Sequence, residues 1–128
     1  MKAAQIAIVD DDASVRKALA RLLSFSDYHA QTYDSARQFL DSLPDQIPEC
    51  LILDLQMPEM TGLELQAELA RVGLKIPTVV ITAHSDAGFR ESCCAAGAAA
   101  YLVKPLDEAT LLTAVDSAIR RRPTMASD

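Results

Sequence analysis

The sequence predicts a single α/β domain built on a five-stranded parallel sheet with helices on both faces. Two observations predict it. Short apolar runs alternate with longer amphipathic stretches five times along the chain. The fourth run, Pro77-Thr78-Val79-Val80-Ile81-Thr82, is β-branched and almost wholly apolar, as a central strand covered on both sides must be. Repeated strand-then-helix units require right-handed crossovers, which lay helices on both faces of a parallel sheet. With 128 residues, half of them apolar, the chain is long enough to close one such core.

The first strand is predicted over 5–9 and leads into Asp10, Asp11 and Asp12, with a helix over 13–25. The second strand covers 29–33 and its helix 36–43, where Ser35 and Gln38 have capping-box spacing. Cys50-Leu51-Ile52-Leu53 closes on Asp54 in a third strand, 50–54. The helix over 62–72 is opened by Thr61 and Glu64, again at capping-box spacing. A strand over 78–82 precedes a helix over 86–96, and Gly97 marks that helix's C-terminus. The fifth strand, 99–103, leads to Lys104 and Pro105. Asp107 caps a last helix over 108–121, in which Leu111, Leu112, Val115, Ala118 and Ile119 recur at helical spacing. Pro44, Pro48, Pro58 and Pro77 punctuate the connections. Residues 1–122 are read as one domain and 123–128 as a tail or the start of a linker.

Charge and composition exclude several classes. A net charge of −6 argues against direct nucleic-acid binding by this segment, which would need a basic face. The basic cluster Arg120-Arg121-Arg122 suits a helix C-terminus, or a linker leading to a module that binds DNA or protein. No apolar run approaches the roughly 20 residues that span a bilayer, and no signal peptide is evident, so no membrane and a cytoplasmic location are expected. Cys50, Cys93 and Cys94 are odd in number and two are adjacent, which makes no disulfide framework. Cys50 is read as a small strand hydrophobe and the pair as helix packing, in a reducing compartment.

In open parallel sheets, ligands bind outside the carboxyl ends of the strands. Here the first, third, fourth and fifth strands end at Asp10-Asp11, Asp54, Thr82 and Lys104, all on one edge. Clustered carboxylates repel, so they need a cation or take up protons. Oxygen ligands in a hydrated crevice suit Mg2+ or Mn2+, and the lack of His or Cys among them argues against zinc. Asp54 is the candidate nucleophile, since a carboxylate can accept a phosphoryl group as an acyl phosphate. Lys104 supplies a mobile point charge, the Thr82 hydroxyl a hydrogen bond, and Ala83 leaves room for the group. Singly, each residue has a plainer reading: a turn or cap aspartate, a β-forming threonine, a solvated strand-end lysine, and for Tyr101 an ordinary strand aromatic. Their joint placement on one edge is what separates the two readings.

Four stretches then carry a resemblance: Ile8-Val9-Asp10-Asp11-Asp12, Asp54-Leu55-Gln56-Met57-Pro58-Glu59-Met60-Thr61-Gly62, Val80-Ile81-Thr82-Ala83 and Tyr101-Leu102-Val103-Lys104-Pro105. In this order and at these separations the chain resembles a bacterial response-regulator receiver domain over essentially its whole length. Thr82-Ala83-His84-Ser85-Asp86, with Arg16-Lys17, is most similar to the FixJ-type subgroup, whose members commonly continue into a LuxR-type DNA-binding domain.

The resemblance implies a flavodoxin-like fold with strand order 2-1-3-4-5. It implies phosphorylation of Asp54 by a sensor histidine kinase. It also implies a magnesium ion on Asp11, Asp54 and the main-chain carbonyl of Gln56, with Asp10 acting through water. Lys104 and Thr82 would contact the phosphoryl group, Asp12 would cap the first helix, and the Lys104–Pro105 bond would be cis. Thr82 would move toward the phosphoryl group and Tyr101 would turn inward, reshaping the face of the fourth helix, fifth strand and fifth helix, through which a homodimer would form. Such a domain is no enzyme beyond weak self-phosphorylation from small phosphodonors and autodephosphorylation. Leu106, in place of the subgroup's frequent phenylalanine, and Ala98-Ala99-Ala100 depart from common patterns near that output face. Gln56 and His84 would flank the acyl phosphate, and Gln56 would influence the attack of water upon it.

Three alternatives stand beside this reading. One is a stand-alone relay receiver without a DNA-binding domain. Another is a pseudo-receiver acting only as a binding module, which the full set Asp10, Asp11, Asp54, Thr82 and Lys104 argues against. The third is an aspartyl-phosphate hydrolase, which usually carries a second Asp two residues after the nucleophile; Gln56 stands there.

Overall fold

Strand and helix alternate in the computed structural model, which describes residues 3–43, 45–84 and 87–121. The order is β1 (Ala4–Val9), α1 (Ala13–Phe25), β2 (Tyr28–Tyr33), α2 (Ala36–Asp41), β3 (Cys50–Asp54), α3 (Gly62–Arg71), β4 (Thr78–Thr82), α4 (Ala87–Ala95), β5 (Ala98–Val103) and α5 (Glu108–Arg121). The strands form one parallel sheet in the order β2-β1-β3-β4-β5, the order the family resemblance implied.

Successive strand residues face opposite sides of a sheet, and the core divides accordingly. Ile6, Ile8, Ile52, Val79 and Ile81 pack with Leu19 and Leu23 of α1 and Leu111 and Val115 of α5. Their neighbours Ala7, Val9, Leu51 and Leu53 pack on the other face with Phe39 of α2 and Leu65 and Leu69 of α3. Val80, Tyr101, Leu55 and Cys93 form a third, smaller group with α4. Every residue of β3 and β4 is buried, as their apolar sequences required, whereas the edge strand β2 alternates partly buried with exposed positions.

Helix starts follow the capping chemistry. Thr61 accepts from the Glu64 amide at 3.2 Å while Glu64 accepts from the Thr61 amide at 2.8 Å, a complete capping box. Asp12 caps α1 by accepting from Ser14 at 2.8 Å, and Asp107 accepts from the Thr110 amide at 2.9 Å. At α2 only half of the expected box forms. Ser35 accepts from the Gln38 amide at 3.0 Å, but Gln38 accepts from the amide of Asp34 at 2.7 Å, one residue before the cap.

Boundaries differ from the sequence reading by one or two residues. Strands β1, β2 and β5 begin one residue earlier than predicted, because parallel pairing with their neighbours extends them. Helix α2 stops at Asp41, where the Ser42 amide turns back to Phe39, and α3 stops at Arg71, ahead of Gly73 at φ 79°. Gly97 lies at φ 99°, the left-handed position that ends α4. The cysteine pair also divides: Cys93 is buried, but its neighbour Cys94 is exposed, since adjacent helical residues point about 100° apart and only one can face the sheet. Asp86, Arg122 and the predicted tail 123–128 lie outside the described residues. Arg120, at the end of α5, pairs with Asp116 at 3.1 Å. No helix among the described residues is long and apolar enough to cross a membrane.

Candidate functional site

At the carboxyl end of β1, the Asp10 amide donates to the Tyr33 carbonyl at 3.2 Å, extending the β1–β2 ladder by one bond. The Asp10 carboxylate is fully buried. Its Oδ1 accepts from the Asp12 amide at 2.9 Å, which turns the chain into α1, and its Oδ2 lies 3.2 Å from Lys104 Nζ. Asp12 spends its carboxylate on the helix cap, so only two of the three consecutive acids belong to the cluster. Asp54 closes β3 with Oδ1 3.8 Å from Lys104 Nζ and accepting from the Gln56 amide at 3.4 Å. Asp10, Asp11 and Asp54 each present an oxygen within 4.8 Å of the others. Asp10 and Asp54 are buried and Asp11 is exposed, so the cluster opens to water on one side.

Burial pushes the Asp54 carboxyl up to about 6, and the Asp10 carboxylate adds to that rise. The Lys104 ammonium and the Gln56 amide oppose it only in part. One ammonium facing three carboxylates leaves negative charge uncompensated. An all-oxygen donor set, partly open to solvent, fits a hard divalent cation.

Neighbouring backbone holds Asp54 in place. The Leu55 amide donates to the Ile81 carbonyl at 3.0 Å, and the Gly62 amide donates to the Leu55 carbonyl at 2.9 Å. A Cβ on Gly62 would lie 2.7 Å from the Asp54 carbonyl oxygen and 2.9 Å from Leu55 Cα, so α3 begins against the backbone of Asp54 itself. Within the same loop Glu59 adopts φ 69°, a left-handed conformation uncommon for a residue with a side chain. The Gln56 side chain is exposed at the start of this loop.

On the other flank, the buried Thr82 hydroxyl accepts from the His84 amide and donates to the His84 carbonyl, both at 3.1 Å. The Thr82 carbonyl accepts from the Lys104 amide at 2.7 Å, joining the ends of β4 and β5. Ala83 is exposed beside it, and Ser85 and Asp86 of the quoted motif lie outside the described residues. The Lys104–Pro105 bond is cis. Tyr101 is already buried, with the Arg90 guanidinium 4.7 Å above its ring and no hydrogen-bond partner for its hydroxyl among the described residues. Its side chain thus occupies an inward position here.

Two positioning roles escape a reading by sequence alone. Arg16 is half-buried and its Nη1 donates to the Asp10 carbonyl at 2.7 Å, tying α1 to the acidic loop. Its place in the Arg16-Lys17 pair and its helical spacing from Asp12 gave no sign of this contact. For Gly62 the signal was clearer, because a glycine just inside a well-capped helix start has no use there except to permit a close approach.

Comparisons with known proteins agree with this geometry. The family model of the response regulator receiver domain matches residues 6–116. Response regulator protein TmoT of Ectopseudomonas mendocina is 38% identical over 118 residues, covering 92% of this chain and 54% of that protein. Transcriptional regulatory protein FixJ of Rhizobium meliloti (strain 1021) is 36% identical over 111 residues, 87% of this chain and 54% of FixJ. The chain therefore spans about half the length of these relatives, which are by name regulators rather than metabolic enzymes. The crystal structure of FixJ-N superposes with a TM-score of 0.89 at 33% identity, covering 98% of this chain and 100% of the other. Fold, acidic edge and family match lead to one assignment: the chain belongs to the response regulator receiver domain family.

Proposed function

We propose that this chain is a phosphorylation-controlled switch in which Asp54 accepts a phosphoryl group from a sensor histidine kinase. The observation that carries the reading is the convergence of Asp10, Asp11 and Asp54 with Lys104 Nζ at one sheet edge. Asp11, Asp54 and the main-chain carbonyl of Gln56 would hold a magnesium or manganese ion, with Asp10 acting through water. When bound, such an ion supplies positive charge beside the oxygens of the transferring group.

An ionised Asp54 oxygen would attack phosphorus in line with the bond being broken. A P–O bond forms, the P–N bond to the donor histidine breaks, and the imidazole nitrogen leaves with the electron pair. Lys104, within 4 Å of both Asp10 and Asp54, is placed to exchange one carboxylate for a phosphoryl oxygen. The Thr82 hydroxyl would leave the His84 carbonyl to donate to the new group, and Ala83 offers only a methyl in its way. Tyr101 already sits inward here, so it would hold that position while α4 followed the movement, reshaping the face of α4, β5 and α5. A population moved from mostly inactive to mostly active needs up to about 5.5 kcal/mol of preference for the active state.

The matched regulators are about twice as long as this chain, and in this reading residues 1–122 form the receiver, 123–128 are a tail or the start of a linker, and the full-length protein would carry a LuxR-type DNA-binding domain. The exposed Phe89 and Val103 on the α4–β5 face support a homodimer there upon phosphorylation. A cytoplasmic location follows from a kinase partner and a DNA-binding output.

Incubation with acetyl phosphate and Mg2+, read by intact mass, tests the acceptor. The wild-type chain is expected to gain one phosphoryl group and Asp54→Asn none. Equal labelling of the two would refute the assignment, and sustained multiple turnover would favour the hydrolase alternative.

A further inference from the structure

We infer that Arg90 is a positioning residue: its guanidinium holds the Tyr101 ring inward and thereby clamps α4 to the sheet. Helix α4 has little else to hold it. A helix laid on a sheet buries about three or four side chains in every two turns, whereas Cys93 alone among the described residues of α4 is buried. Cys93 shares its small core group with Leu55, Val80 and Tyr101. Arg90 lies three residues before Cys93, on the same face of the helix, and its guanidinium carbon sits 4.7 Å from the centroid of the Tyr101 ring. A cation at that distance is attracted to a ring face, and this ring is buried, where the attraction is screened least. The hydrogen bond that reaches α4 from α3, Gln66 Nε2 to the Cys93 carbonyl, is long at 3.4 Å.

Tyr101 gains nothing from its own hydroxyl in this position. The hydroxyl is buried without a partner among the described residues, so hydrogen bonding opposes the inward orientation. Burial of the ring and the guanidinium above it must outweigh that cost. Arg90 makes no ion pair among the described residues, so no carboxylate competes with the ring for its charge. The clamp deepens the proposed switch, and its bearing on output rests on that reading: with Tyr101 held inward, α4 can move only by giving up the contact through Arg90.

Amide hydrogen exchange of the unphosphorylated chain, with the Arg90 side chain followed by NMR, tests the clamp. In the wild type the Arg90 Nε–H proton is expected upfield of its ordinary position, because it is held over a ring face. Arg90→Gln removes the charge and should speed exchange of the Cys93, Cys94 and Ala95 amides about 2- to 30-fold. Arg90→Lys keeps a cation and should exchange more slowly than Arg90→Gln. Tyr101→Leu removes the ring, and in that background Arg90→Gln should have no further effect. If Tyr101→Leu does not fold, the chains that differ only at residue 90 decide the matter. An unshifted Arg90 proton, wild-type exchange in Arg90→Gln, Arg90→Lys as fast as Arg90→Gln, or a full effect of Arg90→Gln without the ring would each overturn the inference. Asp54→Asn should keep both the shifted proton and the slow exchange, so failure here and failure of the phosphoacceptor reading remain distinct.

Discussion

Asp54 is poised between two demands. Burial next to Asp10 raises its carboxyl to about 6, yet Lys104 and the Gln56 amide keep it low enough to be mostly ionised at neutral pH, as a nucleophile must be. The rise has a consequence for stability in the absence of metal. Between the ordinary value of 3.8 and about 6, the folded chain retains a proton that the unfolded chain has released. Stability therefore falls as pH rises through that window, by up to about 3 kcal/mol. Asp54→Asn removes the titration and should flatten this slope, leaving the variant more stable than wild type at pH 7 in chelator. Denaturant unfolding at pH 4 and pH 7 checks it, and an unchanged slope would show that the carboxyl is not raised. Asp10, Asp11, Asp54, Thr82 and Lys104 were all legible as residues of one edge because each ends a strand. Arg16 was not, since its contact is with a backbone carbonyl that no side-chain pattern reveals.

At the scale of elements, Gly62 sets two magnitudes against each other. Alanine at an interior helical position is favoured over glycine by up to about 1 kcal/mol. A Cβ here would instead sit 2.7 Å from the Asp54 carbonyl oxygen, which is backbone and cannot yield by rotation. Overpacking of that kind costs about 1–3 kcal/mol, so Gly62→Ala should be destabilising on balance. It should also slow phosphorylation by shifting Asp54, and a thermal melt with an acetyl-phosphate rate measures both. A more stable variant would mean that the α3–β3 approach is looser than described.

Helix starts were readable wherever a side chain has a single local partner, as at Thr61 and Asp107. At α2 Gln38 accepts from the Asp34 amide instead of the cap's, an outcome that spacing cannot distinguish. The cysteines follow the same logic. Burial pushes the Cys50 thiol up to about 12 and also raises Cys93. A thiol reagent at pH 7.5 should therefore modify exposed Cys94 alone in the folded chain, and all three only after unfolding. Rapid labelling of Cys93 would indicate that α4 opens readily.

For the whole molecule, the fold was visible because three kinds of signal agreed: apolar runs of strand length, caps before most of the helices, and β-branched content at the sheet's centre. Strand order came from the family resemblance rather than from periodicity, which cannot tell which strands are neighbours.

What unites the acids of β1 and β3 with the lysine of β5 is a shortage of positive charge, and a titration with Mg2+ tests that shortage most directly. Wild-type chain is expected to bind one ion saturably, with a thermal midpoint that rises with Mg2+ concentration, and Asp11→Asn should lose most of this response. A midpoint indifferent to Mg2+, or a response unaltered by Asp11→Asn, would contradict the account.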